Sequence, residues 1–95
     1  YDASKAALIS LTHNLAWQCS PYVNVNAIAP GFIGTESELD GYDADFLKEE
    51  CEKILVQRYG EPKEVAALVR FLISDEASYI NNSIIRIDGG QRGSC

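Results

Sequence analysis

The 95 residues are 46% hydrophobic and 23% charged, an ordinary globular balance at the size of one small folding unit, without a disordered, collagenous or disulfide-dense signature. Eight Lys and Arg against fourteen Asp and Glu leave a net charge of −6, which repels phosphate backbones and anionic headgroups and excludes broad nucleic-acid or membrane binding. The longest apolar runs, such as Val65-Ala66-Ala67-Leu68-Val69, fall far short of the roughly 20 residues that span a bilayer.

Cys19, Cys51 and Cys95 lie far apart with no C-x-x-C spacing, so neither a metal site nor a disulfide framework is expected, and a cytoplasmic setting suits the chain. Tyr1 is not an initiator Met and the chain contains no Met, so a segment of a longer polypeptide is expected.

From Asp2 to about Cys19 the apolar positions Ala3, Ala7, Leu8, Leu11 and Leu15 recur at three- and four-residue steps, which predicts a first helix, stopped by Ser20-Pro21. Tyr22 to Ile28 alternates Val23, Val25 and Ala27 with Asn24 and Asn26, the two-residue period of a strand, ending at Ala29-Pro30-Gly31. Residues 30–42, with Gly31, Gly34 and Gly41 among small and acidic residues, are expected to form an irregular, mobile loop. Asp43 to Val56 places Leu47, Cys51 and Leu55 on one stripe of a second helix. Glu61-Pro62 opens a third, with proline in the first turn, where its missing N–H is no loss, and Val65, Leu68, Val69 and Leu72 at helical spacing. Asn81-Asn82 supplies a turn, since Asn tolerates positive φ, and Ile84 to Asp88 reads as a short strand ending at Gly89-Gly90.

Helix, strand, helix, helix, strand is the order of an α/β layer in which helices cross between parallel strands. Two strands cannot bury the apolar faces of three helices, so the fold is expected to be incomplete as an isolated domain.

Tyr1 and Lys5 are four residues apart at the head of a helix, a spacing that points both side chains from one face. An ammonium within roughly 4–6 Å favours the phenolate of a group whose unperturbed pKa is about 10, and lets it exchange a proton with substrate oxygen near neutral pH. The spacing also arises by chance, and Pro30-Gly31 alone is equally a plain strand-to-loop turn.

The words Y-D-A-S-K-A-A-L-I-S-L-T, V-N-A-I-A-P-G-F-I-G-T, R-Y-G-E-P-K-E-V-A, F-L-I-S-D-E-A-S-Y-I and I-I-R-I-D-G-G, in that order over nearly the whole chain, resemble the short-chain dehydrogenase/reductase family. The pattern is most similar to the 3-oxoacyl-[acyl-carrier-protein] reductase group of fatty acid synthesis. Related alcohol, sugar and steroid dehydrogenases share most of these words. A non-catalytic oligomerisation module or a degenerate binding homologue is the alternative from another class.

The resemblance implies the C-terminal part of a Rossmann-like doubly wound parallel sheet, as residues 1–95 of one domain, that uses NADP or NAD. It implies Tyr1 as catalytic acid and as a residue at the cofactor, and Lys5 as the group that lowers the phenol pKa and bonds the nicotinamide ribose. Pro30 and Gly31 shape the nicotinamide-side turn, Ile33 meets the carboxamide through its backbone, and Thr35 meets the cofactor through hydroxyl and backbone. The implied substrate is a small-molecule carbonyl or one linked to acyl-carrier protein. The implied assembly is a homo-oligomer, dimer or tetramer, through the last helix and strand, with Val69, Phe71, Ile73 and Ile85 at the interface. The family's glycine-rich loop and catalytic serine are not in this sequence, so the isolated segment is expected to be inactive and not to bind the cofactor.

Residues 36–56 correspond to the family's variable substrate loop and lid helix. Glu36, Glu38, Asp40, Asp43, Asp45, Glu49 and Glu50 there read as a solvated face, since they follow no calcium-loop pattern. His13 reads as a surface histidine, Asn81-Asn82-Ser83 as a turn instead of a glycosylation site, and Gly89-Gly90-Gln91-Arg92-Gly93 as the end of the last strand reaching a neighbouring subunit.

Overall fold

The N–H of Ala27 donates to the Ser83 carbonyl at 2.9 Å and that of Gly31 to Ile87 at 3.1 Å. Donor and acceptor both advance by four residues, so the two strands of the computed structural model, β1 (Ala27–Pro30) and β2 (Ile84–Ile87), run parallel as a two-stranded sheet. The structure describes residues 2–92, and Tyr1 and residues 93–95 lie outside them. In chain order the other elements are α1 (Asp2–Cys19), α2 (Glu36–Leu39), α3 (Ala44–Glu52), α4 (Pro62–Leu72) and a 3₁₀ turn at Asp75–Ala77. The α/β class and the parallel pair agree with the sequence reading. Among the described residues no helix is long and apolar enough to cross a membrane.

The chain divides into two units, residues 2–28 with 70–85 and residues 29–69 with 86–92. In the first unit the apolar stripe that defines α1 in the sequence is not the face that packs. Thr12 and Ala16 are buried, and Lys5, Ile9 and Cys19 are half-buried, at successive steps of four, three, four and three residues. Leu8, Leu11 and Leu15 stay exposed. Small side chains allow close approach, and the buried Thr12 hydroxyl is satisfied by donating to the Leu8 carbonyl at 2.8 Å.

The strand expected over Tyr22–Ile28 begins only at Ala27. Side-chain amides take the place of a ladder before it. Asn24 Nδ2 donates to the Ser78 carbonyl and Asn26 Nδ2 to Ile80, while Asn26 Oδ1 accepts the Ser83 N–H. The Val25 N–H donates to Asn81 Oδ1 and its carbonyl accepts from Asn82. The polar positions that looked like the wet face of a strand are thus cross-links. Asn82 takes the positive φ expected of the turn, at 58°, and its Oδ1 meets Nδ1 of the exposed His13.

In the second unit, the expected loop over 30–42 contains α2, capped by Thr35, whose Oγ1 accepts the Glu38 N–H at 3.3 Å. Helix α3 is capped by Asp43, whose carboxylate accepts the Phe46 N–H at 2.8 Å, and it stops at Glu52 instead of reaching Val56. The cause is non-local. Ile54 bridges antiparallel to Gln91, Leu55 and Val56 donate to Gly90 and Gly89, and Arg92 donates to Lys53. Gly89 and Gly90, at φ of 62° and 82°, therefore turn the chain after β2 back onto residues 53–56 of the same unit. Ile54 is the largest fully buried side chain. Among the described residues the only buried hydrophobic side chains are Ala16, Ile54 and Ala77, the small core expected of an unfinished layer.

Candidate functional site

Lys5 stands on the packed stripe of α1, half-buried one turn before Ile9. Tyr1, four positions ahead of it, lies outside the described residues. The other predicted site residues, Pro30, Gly31, Ile33 and Thr35, belong to the second unit, where they leave the C-terminal end of β1 as one continuous run.

That run is tied from behind, peptide by peptide. Gly31 N–H donates to the Ile87 carbonyl at 3.1 Å, Phe32 N–H to Gln91 Oε1 at 2.9 Å, and Gly34 N–H to the Gly60 carbonyl at 2.9 Å. The Phe32 carbonyl accepts the Gly60 N–H at 2.9 Å, which completes a parallel bridge centred on Ile33 and Gly60. The peptide between Phe32 and Ile33 is trans, so its N–H points opposite to its C=O. The Ile33 N–H is therefore aimed away from Gly60, and among the described residues it has no backbone acceptor. Over residues 31–34 of the loop expected to be irregular, Ile33 is the one amide left without an acceptor among the described residues.

Side chains fix the same run. The Phe32 ring lies 5.6 Å from Tyr59 and 6.3 Å, edge-on, from Tyr42, which in turn stacks at 4.5 Å on Phe46 of α3. A Cβ on Gly34 would fall 2.5 Å from the Tyr59 ring, so that ring can lie flat on the loop only over glycine. Thr35 is exposed, and its hydroxyl oxygen serves the cap of α2 and lies 3.4 Å from the Ser37 hydroxyl, a pair in which either oxygen can donate.

Behind Gly60, Arg58 forks onto Glu64 at 2.8 and 3.2 Å, and Glu64 Oε1 also accepts the Glu61 N–H at 3.1 Å, the reciprocal half of a capping box at the head of α4. The Arg58 guanidinium, with the Glu61 N–H second, holds the Glu64 carboxyl at about 2, below its ordinary 4.5, and the Arg58 pKa is raised in turn by the Glu64 hydrogen bond and charge. A depressed carboxylate stabilises the fold above its ordinary pKa, and that stability is lost as pH falls toward 2. The side chains are 57% and 37% exposed, so the effect is small. Glu64→Gln is expected to lower the melting temperature at pH 7, with the difference from wild type shrinking to nothing near pH 2. A difference that widened on acidification would contradict the sign.

Sequence reading missed Gln91, Asp88, Tyr59 and Gly60 as supports of the loop. The Asp88 carboxylate is 6% exposed, accepts from Arg86 at 2.9–3.0 Å and from the Gly90 N–H at 2.9 Å, and so sets the turn that delivers Gln91. The signal available for α2 was Thr35-Glu36-Ser37-Glu38, a T-x-x-E capping pattern. Among the described residues no group of three His, Cys, Asp or Glu side chains could hold a metal ion.

The family model described as "Enoyl-(Acyl carrier protein) reductase" matches residues 1–92. The chain is 40% identical over 99 aligned residues to levodione reductase of Leifsonia aquatica, covering 96% of this chain and 37% of that protein. The crystal structure of a 3-oxoacyl-[acyl-carrier protein] reductase from Brucella melitensis ATCC 23457 superposes with a TM-score of 0.87 at 35% identity, over 96% of this chain and 34% of that one. A 4-hydroxyisoleucine dehydrogenase complexed with NADH superposes with a TM-score of 0.86 at 33% identity, over 98% of this chain and 39% of that one. The chain thus spans a little over a third of the length of these relatives. With the family match running almost end to end and solved relatives superposing over nearly every residue, this chain belongs to the short-chain dehydrogenase/reductase family.

Proposed function

We propose that the chain is the nicotinamide-side, C-terminal segment of an NAD(P)-dependent oxidoreductase that interconverts a carbonyl and an alcohol. The observation that carries this reading is the outward Ile33 amide, held by a loop whose neighbouring donors are all spent behind it. The residues present fit the nicotinamide end of a dinucleotide. Ile33 offers a backbone donor to the carboxamide, Thr35 presents an exposed hydroxyl, and Pro30 and Gly31 set the turn at the carboxyl end of a parallel strand, where open α/β sheets take ligands. When bound, the dinucleotide supplies or accepts the hydride.

Tyr1 gives its phenolic proton to the substrate oxygen in reduction and takes it back in oxidation. Lys5 bonds the nicotinamide ribose and, through its charge, favours the ionised phenol. NADP is the proposed cofactor, with NAD the other form. The 95 residues alone are inactive on this reading, because the family's phosphate-binding loop and serine are not among them. The parent works in the cytoplasm, where Cys19 and Cys51 remain free thiols, and assembles through α4 and β2, by way of the exposed Val69 and Phe71 of α4, the exposed Ile73 just after it and the half-buried Ile85 of β2.

The specific substrate proposed is a 3-oxoacyl group on acyl-carrier protein, in fatty acid biosynthesis, supported by the 0.87 superposition on the Brucella reductase. A carrier-free small carbonyl compound is the second reading, favoured by charge. Residues 36–56 hold eight carboxylates and two lysines, against six carboxylates and six Lys or Arg in the rest of the chain, so the segment matching the family's substrate loop would repel an acidic carrier. Hydride transfer by the full-length protein to acetoacetyl-acyl-carrier protein and to the matching simple acetoacetyl ester separates the two. A preference for the carrier-bound substrate is expected on the first reading and a preference for the ester on the second. Failure on every carbonyl offered would overturn both.

A further inference from the structure

Gln91 follows the two positive-φ glycines after β2 and is fixed along its backbone on both sides. Its N–H donates to the Asp88 carbonyl at 3.1 Å, it bridges antiparallel to the buried Ile54, and the next residue, Arg92, donates to Lys53 at 3.0 Å. From this anchored position its side chain reaches 59 residues back in sequence and accepts the Phe32 N–H through Oε1 at 2.9 Å. The other side of Phe32 is held by Gly60, which donates to its carbonyl. With N–H and C=O both fixed, the two torsions of Phe32 have no freedom left, and these torsions set the plane of the next peptide, the one that carries the Ile33 N–H. Gly60 clamps this plane at the Phe32 carbonyl, and the Gln91 carboxamide clamps the peptide plane before it, at the Phe32 N–H.

We propose that Gln91 is a positioning residue for the nicotinamide end of the cofactor: its carboxamide oxygen holds Phe32 so that the Ile33 amide is already aimed when the cofactor arrives. This rests on the reading of Pro30–Thr35 as the nicotinamide-side loop. Gln91 itself touches no reacting atom. Pre-aiming removes an ordering cost from binding, so its loss should appear in affinity for the nicotinamide half and leave the rest of the dinucleotide unaffected.

The test uses the full-length protein and two ligands, NADH and ADP-ribose, which lacks the nicotinamide ring, or the 2′-phosphorylated forms of both where the protein prefers NADPH. Gln91→Leu removes the acceptor at similar volume and is expected to weaken NADH about tenfold, the effect of one ordinary hydrogen bond, with ADP-ribose affinity unchanged. Gln91→Glu keeps an acceptor at the same reach and is expected to restore NADH affinity to within about threefold of wild type. Equal weakening of both ligands would mean a merely structural role and overturn the proposal, as would unchanged NADH affinity in Gln91→Leu. Wild-type protein that binds ADP-ribose but gains nothing from the nicotinamide would instead overturn the reading of the loop, and the proposal with it. Should Gln91→Leu fail to fold, Gln91→Asn, one methylene short of Phe32, takes its place with the same expected split.

Discussion

In the full-length protein Tyr1→Phe is expected to lower kcat by about 10²–10⁴-fold, the usual contribution of a positioned general acid, equivalent to about 3–5 kcal/mol of transition-state stabilisation. The substitution removes one oxygen and keeps the ring, so the helix that carries Lys5 has no reason to change. Cofactor affinity is expected to stay close to wild type, because the ribose contact assigned to Lys5 and the amide presented by Ile33 are untouched. Steady-state kinetics beside an NADH titration check both halves. A variant with near-normal kcat would refute Tyr1 as proton donor, and one that lost cofactor binding in proportion to rate would make the residue a cofactor contact instead of an acid.

The second large effect belongs to Gly31→Ala. A Cβ there would lie 2.5 Å from Asp88 Cβ, 2.6 Å from Gln91 Oε1 and 2.9 Å from the Asp88 Cα. Gln91 could swing aside only by releasing the Phe32 N–H, and Asp88 is held by Arg86 and by the Gly90 N–H, with its Cα in the backbone turn after β2. No cheap relaxation exists, since one obstacle is main chain and the other is the brace of the loop. Overpacking of this kind costs about 1–3 kcal/mol, and the loss is expected in melting temperature together with weakened NADH binding. Gly41, whose nearest neighbour to a new Cβ is the Glu38 carbonyl at 3.5 Å, serves as control, and Gly41→Ala should change neither. A Gly31→Ala variant that melted and bound like wild type would show that the loop is not packed as described.

The legible parts of this structure are those whose causes lie within a few residues. Helix α4 begins at Pro62 as expected, because proline at its first position and apolar residues at helical spacing are local facts. The span of α1 was equally plain, but not the face it buries. That choice depends on what the helix packs against, and the small Thr12 and Ala16 go inward while the leucines stay out. The strand over 22–28 was misread because alternation cannot distinguish a wet sheet face from asparagines that bond residues 78–83. The early end of α3 is set by pairing with residues 89–92, which no local pattern announces.

The candidate site divides in the same way. Pro30, Gly31, Ile33 and Thr35 could be proposed from sequence because they stand together in one recognisable word, whereas Gln91 reaches across 59 positions and carries no motif. Its role emerges only once β2, the Gly89-Gly90 turn and the Ile54 bridge are in place.

On the proposed function, this chain lines the nicotinamide side of a hydride-transfer site. The most direct test incubates the full-length protein with a carbonyl substrate and NADPH or NADH carrying deuterium at both C4 positions, then weighs the alcohol formed by mass spectrometry. The expected product carries one deuterium on the former carbonyl carbon. Alcohol formed without deuterium, or no alcohol from either the carrier-bound or the free acetoacetyl substrate, would contradict the claim.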